Sequence, residues 1–204
     1  YEQSVRVVEL LEKGGRGLNL TWEVRDGILN HRTAGHPNTL EGAIVRLSDK
    51  IAYINHDIDV AIRARMFVEE QLPAVYTDIL GHSVRERLNT MIHDIILNSL
   101  GKPEIKMSPG MEEAMQGLRR WMFENVYKND IPKAEEGKAQ QMITQLYDYY
   151  KKHVDKLPME YVLLIVNTGE KKSRVVCDYI AGMSDIYAID QFEELFVPKR
   201  WNVY

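Results

Sequence analysis

Four polar side chains are spaced so that they would share one face of a helix. Tyr53, His56 and Asp57 follow Asp49 by four, seven and eight positions, and residues at these spacings lie on the same side of an α-helix. Lys50 lies at the edge of that face. A carboxylate can bind a metal ion, an ammonium group can bind phosphate, and a phenol or a carboxylate can accept a hydrogen bond from a sugar hydroxyl. The pattern is therefore compatible with a ligand-binding face.

The same face has a plainer interpretation. Charged side chains on helices commonly form ion pairs, and Arg46, Arg63 and Arg65 lie close enough in sequence to pair with Asp49 or Asp57. Spacing alone favours such interhelical salt bridges over a binding site. Both interpretations stay open at this point.

The polar face must be carried by a long helix. We expect this helix to run from about residue 40 to residue 66, with Thr39 as its N-cap. Its apolar residues recur at spacings of three and four, which predicts one buried stripe beside the polar face. The stripe comprises Ile44, Leu47, Ile51, Ile54 and Ile58.

The remaining sequence also shows helical periodicity, so the expected fold class is all-α, a helical bundle. The run from Tyr161 to Val166 is ambiguous, because a short continuous apolar run also suits a strand. The other expected helices cover residues 2–13, 20–32, 69–80, 83–100, 109–128, 134–156, 159–167 and 170–196.

Composition excludes several classes of protein. The 204-residue chain has a formal net charge of -4, so no chain-wide basic surface for nucleic acid is expected. A single cysteine, Cys177, rules out an intrachain disulfide framework and favours a reducing, cytoplasmic location. No apolar run reaches the length of about 18 residues that a membrane span needs. The sequence therefore predicts a cytoplasmic protein that binds no membrane.

The first residues suggest a piece of a longer protein. The chain begins with Tyr1 rather than methionine, and residues 2–11 have the pattern of a helix interior without a capping residue before them. We therefore expect that further sequence precedes residue 1 in the intact protein.

Three separated blocks carry a more specific signal. Residues 39–59, 118–127 and 178–188 together resemble bacterial HD-domain deoxyguanosine triphosphate triphosphohydrolase-like proteins. The resemblance implies a helical HD-domain fold and hydrolysis of a deoxynucleoside triphosphate (dNTP) to deoxynucleoside and inorganic triphosphate. It further implies that residues 1–130 form the C-terminal part of the HD-domain core and that residues 131–204 form a helical region packed on it.

The resemblance assigns a role to each polar residue of the long helix. Asp49 corresponds to the last aspartate of the family's metal ligands, which are two histidines and two aspartates. Lys50 corresponds to a contact with the triphosphate. Tyr53 corresponds to a residue against the deoxyribose, and Asp57 corresponds to an acceptor for a sugar hydroxyl. The first histidine and the His-Asp dipeptide of the metal set should lie before residue 1.

Three residues outside the long helix also receive roles. Arg119 and Tyr127 correspond to residues that approach the phosphates or the sugar, and Glu2 corresponds to a position near a catalytic histidine. Two other His-Asp dipeptides do not fit the metal set. We expect His56-Asp57 to be substrate-facing and His93-Asp94 to be an ordinary pair on a helix surface.

The cofactor implied by the resemblance is a divalent metal ion such as Mg²⁺ or Mn²⁺, held weakly or not at all by this chain alone because affinity depends on the number of ligands. The implied partners are a dNTP substrate and further copies of the same chain. Two alternatives stay open: another HD-domain nucleotide phosphohydrolase or phosphodiesterase, and a non-catalytic helical regulatory or oligomerisation module.

Overall fold

The chain folds into helices and the loops that connect them. A computed structural model describes residues 1–127 and 130–200, except for the side chains of residues 127 and 130–134. Every regular element in these ranges is helical, which confirms the all-α prediction. No helix within the same ranges combines the length and apolarity that a membrane span needs.

The chain divides into two compact units. The first comprises Tyr1–Glu12 and Arg16–Asn129, and the second comprises Lys13–Gly15 and Asp130–Tyr204. The main division falls between residues 129 and 130, one residue before the boundary that the resemblance implied. The assignment of the two parts to a catalytic core and a region packed on it stays a prediction.

Seven α-helices precede residue 128 in the described part of the chain. In chain order they are α1 (Glu2–Arg6, continued by a π-helical turn, Val7–Leu11), α2 (Glu12–Gly15), α3 (Trp22–Asn30), α4 (Leu40–Arg63), α5 (Ala74–Leu80, preceded by a 3-10 turn, Glu69–Gln71), α6 (Val84–Ser99) and α7 (Pro109–Met122, continued by a π-helical turn, Phe123–Tyr127).

The second unit corrects one expectation about helix length. Its elements are α8 (Asp130–Lys152, followed by a 3-10 turn, Val154–Lys156), α9 (Met159–Thr168), α10 (Lys172–Ala181) and α11 (Asp185–Phe196). The prediction of a single helix over 170–196 is wrong, because one helix ends at Ala181 and another begins at Asp185. The hydroxyl of Ser184 accepts a hydrogen bond from the Tyr187 amide at 3.2 Å, so Ser184 begins a new helix.

Helix α4 begins as predicted, but its apolar stripe is shorter. The Thr39 hydroxyl accepts a hydrogen bond from the Gly42 amide at 3.0 Å, which satisfies one of the free N–H groups of the first turn. Ile51 and Ile58 are buried as expected, together with Leu47 and Ile54. Ile44 is 48% exposed, so its predicted burial is wrong. It lines an open apolar cavity between α4 and α6 instead of a packed core.

The core of the first unit lies beneath α4. Ile58 from α4, Leu80 from α5, Met91 from α6 and Leu118 from α7 are each fully buried. Each such side chain stabilises the folded state by roughly 1.5–3 kcal/mol relative to an exposed one. Four helices thus meet around one apolar centre.

One buried charge fixes α4 against this core. Arg87 of α6 is fully buried, and its Nε donates a hydrogen bond to Asn55 Oδ1 at 2.9 Å. Its guanidinium also pairs with the carboxylate of Glu69. Since residues two apart in an α-helix point about 200° away from each other, anchoring Asn55 in the core directs Tyr53 and Asp57 to the opposite side of α4.

Replacing this arginine should destabilise the first unit strongly. In Arg87→Met, the Glu69 carboxylate and Asn55 Oδ1 lose their donors, and we expect a loss of about 2–4 kcal/mol in the free energy of unfolding. We expect a smaller loss than for a fully buried ion pair, because the Glu69 side chain is 27% exposed. Urea denaturation measures it. Arg85→Met, an exposed arginine on the same helix, is the control and should change stability by less than about 0.5 kcal/mol. Equal effects of the two variants would contradict the prediction.

The packing of α7 against α5 depends on a glycine. A Cβ atom at Gly117 would overlap the ring of Tyr76 on α5, whereas a Cβ at Gly110 on the same helix meets no heavy atom within 4 Å. Gly117→Ala should therefore destabilise the protein by about 1–3 kcal/mol. Gly110→Ala should be neutral or stabilise it by up to about 1 kcal/mol. Thermal unfolding of the two variants gives the comparison, and a stabilised Gly117→Ala protein would show that the helices do not meet as described.

Candidate functional site

The polar face of α4 lines a cavity that is rich in positive charge. This cavity has a volume of about 230 Å³ and lies among α4, α7 and the loop that follows α3. We call it the cationic cavity. Its charged and polar lining residues include Arg32, Lys50, Arg119, Asp49, His31 and Thr33. Three cationic side chains against one carboxylate make it suited to an anion with several charges.

Lys50 shows that the positive charge in this cavity is crowded. Its side chain is half-buried. Desolvation lowers the pKa of its ammonium group, and the charges of Arg46 and Arg119 lower this pKa further, with Glu112 opposing them. A bound anion would offset both the lost hydration and the repulsion between the cations. The crowding therefore favours a polyanionic ligand.

A second cavity adjoins the first and differs in character. It has a volume of about 260 Å³ and is lined by Tyr53, Ile54, Asp57, Arg119, Met122 and Phe123. Tyr53, Ile54 and Arg119 line both cavities. We call the second one the adjoining cavity. Its aromatic and apolar walls with a carboxylate suit a ring that carries a hydroxyl group, such as a sugar.

Asp57 is held in a partly dehydrated position. Desolvation raises the pKa of its carboxyl group, and the charges of His56 and Arg119 oppose that shift. A carboxyl whose pKa is raised in the folded state favours folding less as it ionises. The protein therefore loses stability as the pH rises from the unfolded pKa of this group through the folded one.

Removing that charge should stabilise the chain. We expect Asp57→Asn to raise the melting temperature near pH 7.5, because the desolvated charge is gone. The gain should shrink as the pH is lowered toward about 4, where the wild-type carboxyl is also neutral. Differential scanning calorimetry at several pH values checks this. Asp59→Asn, which removes an exposed carboxylate paired with Arg63 at 2.9 Å, is the control and should not raise the melting temperature. A gain that does not depend on pH would contradict the explanation.

The loop after α3 supplies residues that sequence reasoning did not assign to the site. His31, Arg32 and Thr33 all line the cationic cavity. His31 follows the last residue of α3, and its Nδ1 lies 2.6 Å from the carbonyl oxygen of Ile28. Thr33, the last of the three, lies 16 positions before Asp49 in the sequence and on a different element, so no helical spacing could have connected them.

The structure brings together five of the seven residues assigned by resemblance. Asp49, Lys50, Tyr53 and Arg119 line the cationic cavity, and Asp57 lines the adjoining one with Tyr53 and Arg119. The meeting of α4 with Arg119 of α7 is a tertiary contact that no local pattern specifies. The individual roles of these residues stay predictions.

The remaining two residues are Glu2 and Tyr127. Glu2 is an exposed residue in the first turn of α1 and lines neither cavity. Its neighbour Tyr1 lies under the Arg32 guanidinium at 4.3 Å and accepts a hydrogen bond from it at 2.9 Å, so α1 begins near the rim of the cationic cavity. The side chain of Tyr127 lies outside the described residues.

The salt-bridge interpretation of the polar face does not hold in the described part of the chain. Neither Asp49 nor Asp57 forms an ion pair there, and Arg63 pairs with Asp59 instead. The absence of these competing pairs leaves both carboxylates available to a ligand.

The two His-Asp dipeptides have different surroundings. His56 is exposed and lines neither cavity. His93 is also exposed, as expected, but Asp94 is more than a surface residue. Its Oδ2 accepts a hydrogen bond from the Ser108 amide at 2.7 Å, which ties α6 to the residue before α7.

The described residues do not form a metal site by themselves. No group of three or more His, Cys, Asp or Glu side chains in the described ranges is arranged to hold a metal ion. Asp49 supplies one carboxylate to the cationic cavity, and one ligand is too few for tight binding. Binding of a divalent metal ion therefore stays a prediction.

An all-α unit with these two cavities has the features of a protein that binds a phosphorylated ligand. Comparison with known proteins narrows the class. Residues 105–194 match the family described as "Phosphohydrolase-associated domain".

Relatives align with the chain over nearly its whole length. A deoxyguanosinetriphosphate triphosphohydrolase-like protein of Caldanaerobacter subterraneus is 52% identical over 98% of this chain and 58% of its own length. A protein of the same name from Clostridium perfringens is 41% identical over 97% of the chain and 60% of its own length. A third, from Geobacter sulfurreducens, is 33% identical over 96% of the chain and 64% of its own length.

At 52% identity over 98% of its residues, this chain is similar to the deoxyguanosinetriphosphate triphosphohydrolase-like proteins. The resemblance inferred from the three sequence blocks is thus confirmed. The chain spans about 58% to 64% of the length of these relatives.

Proposed function

We propose that the protein containing this chain hydrolyses a dNTP to deoxynucleoside and inorganic triphosphate. The observation that carries the proposal is the pair of cavities joined at Arg119. One cavity suits a polyphosphate and the other suits a sugar, in the order in which a nucleotide presents them. The printed name of the relatives supports the same reaction.

In this proposal the triphosphate occupies the cationic cavity. Lys50, Arg32 and Arg119 offset its negative charge through charge-assisted hydrogen bonds. The same contacts hold the phosphate chain in a fixed position, which lowers the entropic part of the barrier to attack at phosphorus.

The nucleoside end occupies the adjoining cavity. Tyr53 and Phe123 provide aromatic surface for the deoxyribose, and the ionised Asp57 accepts a hydrogen bond from a sugar hydroxyl. The desolvation that raises the pKa of Asp57 also strengthens any hydrogen bond that this carboxylate accepts. Substrate binding should therefore weaken as the pH falls and the carboxyl group becomes protonated.

The reaction is tested by the products that the full-length protein releases from dGTP in the presence of Mg²⁺ or Mn²⁺. Inorganic triphosphate together with deoxyguanosine supports the proposal. Pyrophosphate or monophosphate would point to another nucleotide phosphohydrolase or phosphodiesterase. No hydrolysis and no binding of nucleotide would point to a regulatory or oligomerisation module.

Asp49 carries the proposed link to a metal ion. We expect Asp49→Ala to lower the metal-dependent kcat of the full-length protein by at least about 100-fold. The fold should stay helical because Asp49 is exposed, and circular dichroism can verify that. Asp59→Ala on the same helix is the control and should retain activity within about twofold. Full activity of Asp49→Ala would remove Asp49 from the site.

A further inference from the structure

Thr33 connects two arginines that come from different helices. Its hydroxyl accepts a hydrogen bond from Arg119 Nη1 of α7 at 3.2 Å. Its carbonyl oxygen accepts one from Arg46 Nη1 of α4 at 3.3 Å. Thr33 itself lines the cationic cavity. A single loop residue therefore restrains guanidinium groups from both α4 and α7.

The restraint matters because Arg119 is exposed. A free arginine side chain samples many rotamers, with roughly 2 kcal/mol of conformational entropy to lose when it binds a ligand. A guanidinium group has five N–H donors in a fixed plane. The bond to Thr33 occupies one of them and leaves the others for a ligand. Part of the ordering of Arg119 is thus complete before any ligand arrives.

The partner of Arg119 is also neutral. A carboxylate in the place of Thr33 would hold the guanidinium but would cancel its charge. A hydroxyl group holds it with the full charge still available to an anion. The bond therefore favours anion binding in two ways.

The loop that carries Thr33 is itself held firmly by Asp26. This buried residue of α3 accepts hydrogen bonds from the Asn38 amide at 2.7 Å and from Asn38 Nδ2 at 2.7 Å. It also accepts one from Asn30 Nδ2 at 2.9 Å. These bonds tie the end of the loop to the helix before it.

A tight turn holds the middle of the same loop. The Gly35 amide donates a hydrogen bond to the Arg32 carbonyl oxygen at 2.9 Å. A Cβ atom at Gly35 would overlap the backbone of Asn30, so the loop lies directly against the end of α3. Thr33 is therefore presented from a rigid segment rather than from a free one.

We propose that Thr33 is a positioning residue for polyphosphate binding, acting through Arg119. Its hydroxyl group restrains the Arg119 guanidinium in an orientation that faces the cationic cavity, and it leaves the positive charge of that group uncompensated. The proposal depends on the proposed function only for the identity of the polyphosphate as the triphosphate part of a nucleotide.

The test measures binding of inorganic tripolyphosphate to the 204-residue chain by isothermal titration calorimetry. Thr33→Val keeps the shape of the side chain but removes the acceptor, and it should weaken binding by about threefold to tenfold. Thr33→Ser restores the hydroxyl and should bind within about twofold of the wild type. Thr144→Val, which removes an exposed hydroxyl bonded to its own helix, is the control and should bind like the wild type.

A double-mutant cycle with Arg119→Ala shows whether Thr33 acts through Arg119. If it does, Thr33→Val should weaken binding no further once Arg119 is gone, because coupled residues are not additive. A merely structural role for the loop would give the same loss in both backgrounds.

The outcomes distinguish the role of Thr33 from the proposed reaction. Loss of binding in Arg119→Ala without loss in Thr33→Val overturns the role of Thr33 and leaves the polyphosphate site standing. Equal losses from Thr33→Val with and without Arg119 also overturn it. No binding of tripolyphosphate by the wild-type chain would overturn it as well. Failure of the full-length protein to hydrolyse dGTP or any of the other three common dNTPs, despite a positive cycle, would reject the proposed reaction alone.

Discussion

A single buried charge determines how the helix that carries the site can lie. Arg87 has no exposed surface, and an uncompensated charge there would make the fold unstable. It must therefore keep both Glu69 and Asn55 as partners. The bond to Asn55 sets the rotation of α4 about its own axis, and helical geometry then turns Tyr53 and Asp57 away from the core. The requirement to satisfy one charge in the interior thus determines which residues reach the surface of the site.

The opposite wall of the site depends on close packing rather than on charge. Helix α7 can lie against α5 because Gly117 leaves room for the Tyr76 ring. Two residues further along, Arg119 reaches the boundary between the two cavities. Helix α4 is positioned by an ion-pair network, and α7 is positioned by a small residue. Both helices contribute side chains to the same apolar core around Leu118. Changes in the core should therefore affect both walls together.

Local periodicity predicted those features of the site that depend on the geometry of a single helix. The grouping of Asp49, Tyr53 and Asp57 follows from the 3.6-residue repeat alone, so it could be read directly from the sequence. The wrong prediction that Ile44 is buried has the same origin. Helical periodicity shows which residues share a face, but it does not show whether another element covers that face. The contribution of Thr33 could not be predicted, because it depends on how a loop folds back onto α7, 86 residues later. Resemblance found Arg119, which spacing could not connect to α4.

Two cations of the cationic cavity, Arg32 and Arg119, are held by neutral hydroxyl groups. Desolvation lowers the pKa of Lys50 and raises that of Asp57, so the folded chain holds both charges at a disadvantage. Carboxylates next to the arginines would relieve this strain but would leave no net charge for a ligand. The buried carboxylate of Asp26 accepts its hydrogen bonds from Asn38 at the end of the loop, and the hydroxyl and carbonyl oxygens of Thr33 accept those from Arg119 and Arg46. The unfavourable charge density is thereby preserved in the free protein, and a polyanionic ligand such as the proposed triphosphate would relieve it.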